Sequence, residues 1–331
     1  SRQEAAVAAA RIVRAEASGE EAPGAFSDAG EIAPWAQAAV AAAMDSGIMR
    51  GYPDGTFRPH RAITRAEAVV MLEKAYRALH LIIDEPGVYG SETADLPRTI
   101  RGNAVINVPD VVLQNAVIEG DLLLGEGIGD GDVTLRNVTV RGATTIKGGG
   151  GESVHIENSV LASVVIDKAD GNVRVVVTGA TVVREVVLQS GATLQEIDLE
   201  DEGFGNITIS LAGEGKVVLT GDFAVVEVAA PEVTLEIREG SVQNIVVDEN
   251  AEGSKIEVQE TATVENVTLN AAAEVAGDGA VVAAVVNAEG AVFQKMPETL
   301  SFGNPSVTVT VGDETIREAG VCVRQPVVRG V

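Results

Sequence analysis

The sequence predicts a mostly β protein, in which a right-handed parallel β-helix of about ten rungs follows a small α-helical module and precedes a short β tail. One observation behind this prediction is an apolar motif that recurs between residues 99 and 300 at steps of 18 to 22 residues, a period typical of stacked repeats. Another is that the chain is 46% hydrophobic but only 3% aromatic, which suits many small, similar core layers. The repeats begin at Ile100, Ile118, Val140, Leu161, Val183, Phe204, Phe223, Val242, Val264 and Val282.

The step length suits three short strands per turn, and parallel crossovers are nearly always right-handed. Stacked at the usual strand spacing, the rungs form a rod on the order of 45–50 Å long. Three asparagines align at steps of 22 and 21 residues, and we expect them to form a stacking ladder at one corner: Asn115, Asn137 and Asn158. Tandem immunoglobulin-like sandwiches are the competing fold, but they would show turns about every 8–12 residues without this register.

The net charge of −25 argues against contacts to nucleic-acid phosphates or to an anionic membrane surface. No run of about 18 apolar residues is present, so we expect no membrane insertion. The one cysteine, Cys322, excludes an intramolecular disulfide and leaves a buried small hydrophobe or an intermolecular bridge as alternatives.

Two capped helices are predicted in the N-terminal module. Residues 1–16 begin with Ser1 and Glu4 in the spacing of a capping box, and Thr64 and Glu67 repeat that spacing 63 residues later. Between them lie an Ala-rich helix from Pro34 to about residue 46 and a Pro-Asp-Gly turn at residues 53–55. After the second box, four apolar residues fall on one helical face: Val69, Leu72, Tyr76 and Leu79.

Residues 26–79 resemble a complete S-layer homology repeat. The matching motifs, in family order, are Phe26-x-Asp28, Trp35-Ala36, Gly47-Ile48, Gly51-Tyr52-Pro53-Asp54-Gly55, Phe57-x-Pro59 and Ile63-Thr64-Arg65-Ala66-Glu67. The family typically carries three such repeats in a pseudo-threefold bundle. Residues 1–16 look like the last helix of a preceding repeat, so we expect earlier repeats upstream of Ser1.

The resemblance implies attachment to bacterial cell-wall polysaccharide, often through pyruvylated sugar, or to peptidoglycan. It assigns polymer binding to Trp35, Gly51, Tyr52, Asp54 and Arg65. An arginine in the first turn of a helix suits a carboxylate, an indole stacks on a sugar face, and a glycine loop admits close approach to the backbone.

Structural roles for the same residues remain as alternatives. Trp35 and Tyr52 would then belong to the core of the small helical domain. Arg65 would be a surface residue paired with Glu67 or Asp54.

No catalytic residue, metal site or cofactor is predicted. The longer corners, at residues 125–132, 148–153 and 200–206, are rich in glycine and acidic residues, and the three histidines lack metal-ligand spacing. The loop carboxylates of Glu126, Asp130 and Asp132 are an alternative Ca²⁺ site, because oxygen ligands in a flexible loop suit that ion.

We divide the chain into an S-layer homology module (1–80), a linker (81–97), the β-helix (98–302) and a C-terminal β segment (303–331). The last segment alternates strictly at residues 307–311 and continues through residues 321–323 and 327–328. Because a solenoid end exposes unpaired backbone groups, this segment either caps its own rod or adds strands to a neighbour.

The preferred function is an extracellular structural protein of the bacterial cell surface, not an enzyme, whose rod self-associates into a layer or filament. The alternatives are a wall-anchored β-helix polysaccharide lyase or hydrolase, and an adhesin.

Overall fold

The computed structural model describes residues 1–15, 26–151, 154–169, 173–304, 306–317 and 322–323. It divides into a helical unit, Ser1–Ile82 with Ile100–Ala104, and a solenoid unit, Ile83–Thr99 with Val105–Val331. All of the connector at 17–25, the end of the 148–153 corner and residues 327–328 lie outside the described residues.

Among the described residues, the helical unit contains three α-helices and one short 3₁₀ helix. The α-helices are α1 (Arg2–Ile12), α2 (Pro34–Asp45) and α3 (Arg65–Leu79), and the 3₁₀ turn is Ala29–Glu31. The capping box of α3 is complete, because the Glu67 backbone N–H donates to the Thr64 hydroxyl at 3.2 Å and the Thr64 N–H donates to the Glu67 carboxylate at 2.8 Å. The described residues contain no helix long and apolar enough to cross a bilayer.

Small side chains dominate the core of the helical unit, which lets the helices approach one another closely. Ala6 and Ala9 of α1, Ala36 and Val40 of α2, and Ala75 of α3 are all buried. The loop after α2 completes this core with large side chains: Ile48, Met49 and Phe57.

Most of the apolar face predicted for α3 points to solvent, whereas its fourth residue, Leu79, packs against the core. Val69, Leu72 and Tyr76 are 66%, 53% and 53% exposed, whereas Met71 and Ala75 face the core. A periodic apolar pattern locates a helical face, but it does not determine whether that face is covered.

Twenty-four strands follow in the part of the chain that the structure describes. They are β1 (Leu81–Ile83), β2 (Gly87–Gly90), β3 (Arg98–Ile100), β4 (Ala104–Ile106), β5 (Val111–Ile118), β6 (Leu122–Leu124), β7 (Val133–Ile146), β8 (Val154–Glu157), β9 (Val160–Ile166), β10 (Val173–Gly179), β11 (Val182–Leu188) and β12 (Ala192–Leu199). The remaining strands are β13 (Gly203–Ile209), β14 (Gly215–Val228), β15 (Val233–Val247), β16 (Ser254–Val258), β17 (Ala262–Leu269), β18 (Ala273–Ala276), β19 (Ala280–Val286), β20 (Ala291–Phe293), β21 (Thr299–Phe302), β22 (Val309–Val311), β23 (Glu314–Ile316) and β24 (Cys322–Val323).

These strands form a β-solenoid of about 11 turns between about residues 81 and 311, which confirms the predicted fold class. Strands β1 and β2 lie in the stretch interpreted as a linker, and β2 pairs in parallel with β5. The right-handed sense of winding stays a prediction.

The parallel register follows the sequence repeat. One column of paired residues runs through Ile118, Val140, Leu161, Val183 and Phe204. A second runs through Phe223, Val242 and Val264, and ends at Val281 rather than at the predicted Val282. All of these side chains but Val281 are buried, because successive turns stack equivalent apolar residues over one another.

The C-terminal strands pair with the last strands of the same chain. Strand β23 runs antiparallel to β22, with Val309 opposite Ile316, and β24 runs antiparallel to β21, with Leu300 opposite Cys322. Whether this segment caps its own rod or adds strands to a neighbour stays a prediction. The side chain of Cys322 lies outside what the structure describes, so its bridging is not tested.

Candidate functional site

The loop between α2 and α3 places Tyr52 among three arginines. The guanidinium carbons of Arg58, Arg2 and Arg61 lie 4.4, 4.5 and 5.2 Å from the centroid of the Tyr52 ring. The face of an aromatic ring attracts cations at such distances. Together with Glu67, these residues form what we call the Tyr52 cluster.

Glu67 balances the charge of this cluster. Its carboxylate accepts a hydrogen bond from the Tyr52 hydroxyl at 2.6 Å and pairs with Arg61 at 3.1 Å and Arg2 at 3.7 Å. The backbone N–H of Thr64 and the hydroxyl of Tyr52 lower the pKa of Glu67 to about 2. Burial, followed by the hydrogen bond to Glu67, raises the pKa of Tyr52. The cluster therefore contains a carboxylate and a neutral phenol at neutral pH.

Arg2 is a structural arginine, only 5% exposed at the start of α1. Its guanidinium donates to the backbone oxygens of Phe57 at 2.9 Å and Arg50 at 2.6 Å, and to the Tyr52 hydroxyl at 3.2 Å. A planar guanidinium suits this role, because its N–H donors can bond two carbonyls of the loop at the same time.

The Pro-Asp-Gly turn is held by two carboxylates. Asp54 accepts from the Thr56 hydroxyl at 2.6 Å and pairs with Arg58; the bonds from Thr56 and then Arg58 lower the pKa of Asp54 to about 2. Asp28 accepts from the backbone N–H groups of Phe57 at 2.8 Å and Arg58 at 2.7 Å. These bonds fix Arg58 at a φ of 56°.

A cavity of about 300 Å³ opens beside the Tyr52 cluster. Its walls are mainly apolar, and its charged residues are three cations and one carboxylate. It is lined by Arg2, Ile48, Met49, Arg50, Ile63, Ala66, Glu67, Val70, Met71 and Lys74. Arg2 and Glu67 form an ion pair with each other. The side chains of Arg50 and Lys74 form no ion pair with another described residue. Such a site suits a ligand with an apolar face and a negative charge.

The residues assigned by resemblance are not all gathered at this cavity. Tyr52 and Asp54 are linked through Arg58, which lies over the ring of the former and pairs with the latter. Trp35 is the second residue of α2 and is 59% exposed, and Arg65 is the exposed first residue of α3.

Gly51 has a packing role in this structure. A Cβ atom built there would lie 2.2 Å from a ring carbon of Phe26. The ring of Phe26 therefore fills the space at Gly51 that was predicted to admit a ligand.

Residues 25–69 match the family model of the S-layer homology domain. The helical unit contains an S-layer homology domain. Over 73 residues, 22% of this chain and 3% of the relative, the chain is 44% identical to "Cell surface glycoprotein 1" of Acetivibrio thermocellus. The chain therefore spans only a small part of that protein. No solved structure matches the chain.

Sequence reasoning missed most charged residues at the cavity of the S-layer homology domain. The sequence prediction uses the first residues of α1 only as a helix cap, and it names neither Arg50 nor Lys74. Arg50 lies two residues before Tyr52 in a basic stretch of an otherwise acidic chain, whereas Arg2 and Lys74 are 50 and 22 residues away from Tyr52 and have no local signal. The carboxylates offered as partners of Arg65 are taken by other arginines: Glu67 by Arg2 and Arg61, and Asp54 by Arg58.

The three ladder asparagines lie on the solenoid, Asn115 within β5, Asn137 within β7 and Asn158 between β8 and β9. Asn115, Asn137 and Asn158 have φ angles of 47°, 52° and 49°, in the left-handed region that asparagine tolerates. The side-chain amide of Asn137 donates to the side-chain oxygen of Asn115 at 3.0 Å. The oxygen of Asn158 accepts from the backbone N–H of Ala180 at 3.0 Å, one turn further on.

The loop considered for Ca²⁺ is engaged in an ion pair. Asp130 accepts from the ammonium group of the buried Lys168 at 3.1 Å. Among the described residues, no group of three or more His, Cys, Asp or Glu side chains is placed to hold a metal ion.

Proposed function

We propose that this chain is a structural protein of the bacterial cell surface, attached to a cell-wall polysaccharide through its S-layer homology domain. The observation that supports this most strongly is the family match at residues 25–69, together with the similarity to a protein named as a cell surface glycoprotein. S-layer homology domains generally bind cell-wall polysaccharide, which gives the partner class.

The cavity beside the Tyr52 cluster supplies a binding mechanism. The apolar wall of Ile63, Val70 and Met71 takes the non-polar face of a sugar ring, while Arg50 and Lys74 attract an acidic substituent. Hydrogen bonds between cations and carboxylates are among the stronger polar contacts in proteins. Trp35 and Arg65 extend the binding surface on the resemblance alone.

The solenoid has a mechanical role in this proposal. Its charged residues form ion pairs between neighbouring turns, including Arg136 with Glu157 at 2.7 Å and Lys216 with Glu236 at 2.7 Å. Side chains engaged in this way stiffen a stack of turns rather than carry out chemistry. We propose that the solenoid is not an enzyme and that copies of it associate into a layer or filament.

Co-sedimentation with purified cell-wall sacculi, before and after the wall polysaccharide is extracted, tests the attachment. We expect binding to intact sacculi that is lost after extraction. The double variant Arg50→Ala/Lys74→Ala should bind about tenfold more weakly, because it loses two charge-assisted contacts. Arg77→Ala is the matched control, since Arg77 lies on the same helix but pairs with Glu73. Equal binding to extracted sacculi contradicts the proposal.

Assembly and catalysis need separate measurements. Electron microscopy at rising protein concentration, with and without Ca²⁺, should show layers or filaments, and monodisperse particles throughout would contradict that part. Release of reducing or unsaturated sugars from uronic polymers would instead identify a lyase or hydrolase. Adhesion of the isolated protein to host cells or mineral would identify an adhesin.

A further inference from the structure

Five residues that the sequence assigned to the first turns of the β-helix belong to the helical unit. We call this segment, residues 100–104, the strap. Its backbone pairs with the chain that leaves α3: the Gly102 N–H donates to the Leu79 oxygen at 2.9 Å, and the Leu81 N–H donates to the Asn103 oxygen at 2.9 Å.

The strap also closes the C-terminal end of α1. The Arg101 guanidinium donates to the backbone oxygens of Val13, at 3.1 Å, and Arg14. The last carbonyls of a helix have no partner within the helix, and a cation there is favoured by the helix dipole. One short segment thus contacts the ends of two helices.

His80 holds the centre of the strap. Its Nδ1 atom accepts a hydrogen bond from the Asn103 backbone N–H at 2.8 Å, and its ring lies against Tyr76 at 4.3 Å between centroids, with the ring planes tilted by 32°. Gly102 packs against the ring so closely that a Cβ there would lie 2.7 Å from Nδ1. The ring therefore has a defined position and a defined neutral tautomer, with its proton on Nε2.

We propose that His80 is an acid-sensitive latch, which holds the strap on the helical unit when neutral and releases it when protonated. A neutral imidazole nitrogen accepts a hydrogen bond, whereas both ring nitrogens of an imidazolium are donors. Protonation would place two N–H groups against each other across 2.8 Å, so this hydrogen bond would be lost. Imidazole is the side chain whose ordinary titration falls between about pH 5 and 8.

The ionisable groups next to His80 on α3 and the strap have contacts of their own. On α3, the Tyr76 ring lies against His80, and Arg77 pairs with Glu73. The guanidinium of Arg101 on the strap donates to the backbone oxygens of Val13 and Arg14 at the end of α1.

Hydrogen exchange of the full chain between pH 5 and 8, with rates corrected for intrinsic pH dependence, tests the latch. We expect protection of the Asn103 amide to fall about tenfold or more as the pH drops. In nitrogen-15 NMR spectra of the same protein, the shift of that amide should follow the titration of the His80 ring with the same midpoint. Protection that is constant across the range, or two different midpoints, would overturn the proposal.

Variants separate the latch from general destabilisation. His80→Phe keeps a ring against Tyr76 but has no acceptor, so protection at Asn103 should be low at every pH. His60→Gln removes an exposed histidine elsewhere in the helical unit and should retain the wild-type profile. A pH-dependent profile that survives in His80→Phe would assign the effect to another group, and the proposal would be wrong.

Discussion

The guanidinium of Arg2 lies 4.5 Å from the centroid of the Tyr52 ring, and both side chains contact the carboxylate of Glu67. A residue at the start of α1 thereby fixes the loop that precedes α3. The cavity beside the Tyr52 cluster is lined by residues from the start of α1, from this loop and from α3. Its shape therefore depends on long-range contacts rather than on the local motif.

Replacing this arginine should destabilise the helical unit. Arg2→Ala removes a 5% exposed side chain and its bonds to two backbone carbonyls, so the free energy of unfolding should fall by about 2–3 kcal/mol. The single tryptophan, Trp35, lies in this unit, so its fluorescence reports the transition during urea unfolding. Arg11→Ala, an exposed position on the same helix, should change stability by less than about 0.5 kcal/mol. Equal effects of both variants would contradict the assigned role.

The fold of the solenoid could be predicted from the sequence, but the arrangement of the candidate site could not. A repeat of apolar residues fixes which side chains stack inward, so the spacing of Val140, Leu161 and Val183 alone predicts the alignment that their strands adopt. The site depends instead on contacts such as Arg2 with Tyr52, which are 50 residues apart. No local pattern predicts which cation reaches a given ring.

The buried and exposed faces of α3, which the apolar pattern alone does not distinguish, give a second prediction. Met71→Ala should cost about 2 kcal/mol or more, because Met71 is 9% exposed within the core cluster. Leu72→Ala, its neighbour with 53% exposure, should cost less than about 1 kcal/mol. Thermal unfolding followed by Trp35 fluorescence provides the comparison. A larger loss for Leu72→Ala would mean that the apolar face of α3 is covered in solution.

The asparagine ladder allows two contributions to stability to be measured separately: the left-handed backbone conformation and the side-chain hydrogen bond. Asn137→Gly keeps the left-handed backbone accessible and loses only the hydrogen bond to Asn115, whereas Asn137→Ala loses both. The alanine variant should therefore be less stable than the glycine variant by about 1 kcal/mol. Urea unfolding of the solenoid followed by circular dichroism measures the difference. Identical stabilities would show that backbone conformation does not determine the choice of asparagine here.

A carboxylate within the solenoid predicts a pH dependence. Glu196 accepts from the backbone N–H groups of Phe204 at 2.8 Å and Asp222 at 3.0 Å, on two different strands. Burial raises its pKa to about 7 from an ordinary 4.5, with a further push from the Asp222 carboxylate, although both N–H donors oppose the rise. The folded state thus binds this proton more tightly than the unfolded state does.

It follows that the contribution of Glu196 to stability is present in full below about pH 4.5 and is lost as the pH rises to about 7. Because water reaches part of the side chain, the expected loss is of the order of 1 kcal/mol. Urea unfolding at several pH values between 4.5 and 7.5 measures it. Glu196→Gln, which cannot titrate, should flatten the profile in this window, while the exposed Glu185→Gln should leave it unchanged. An unaltered slope in Glu196→Gln would mean that a different group titrates, and that the two backbone donors keep Glu196 ionised.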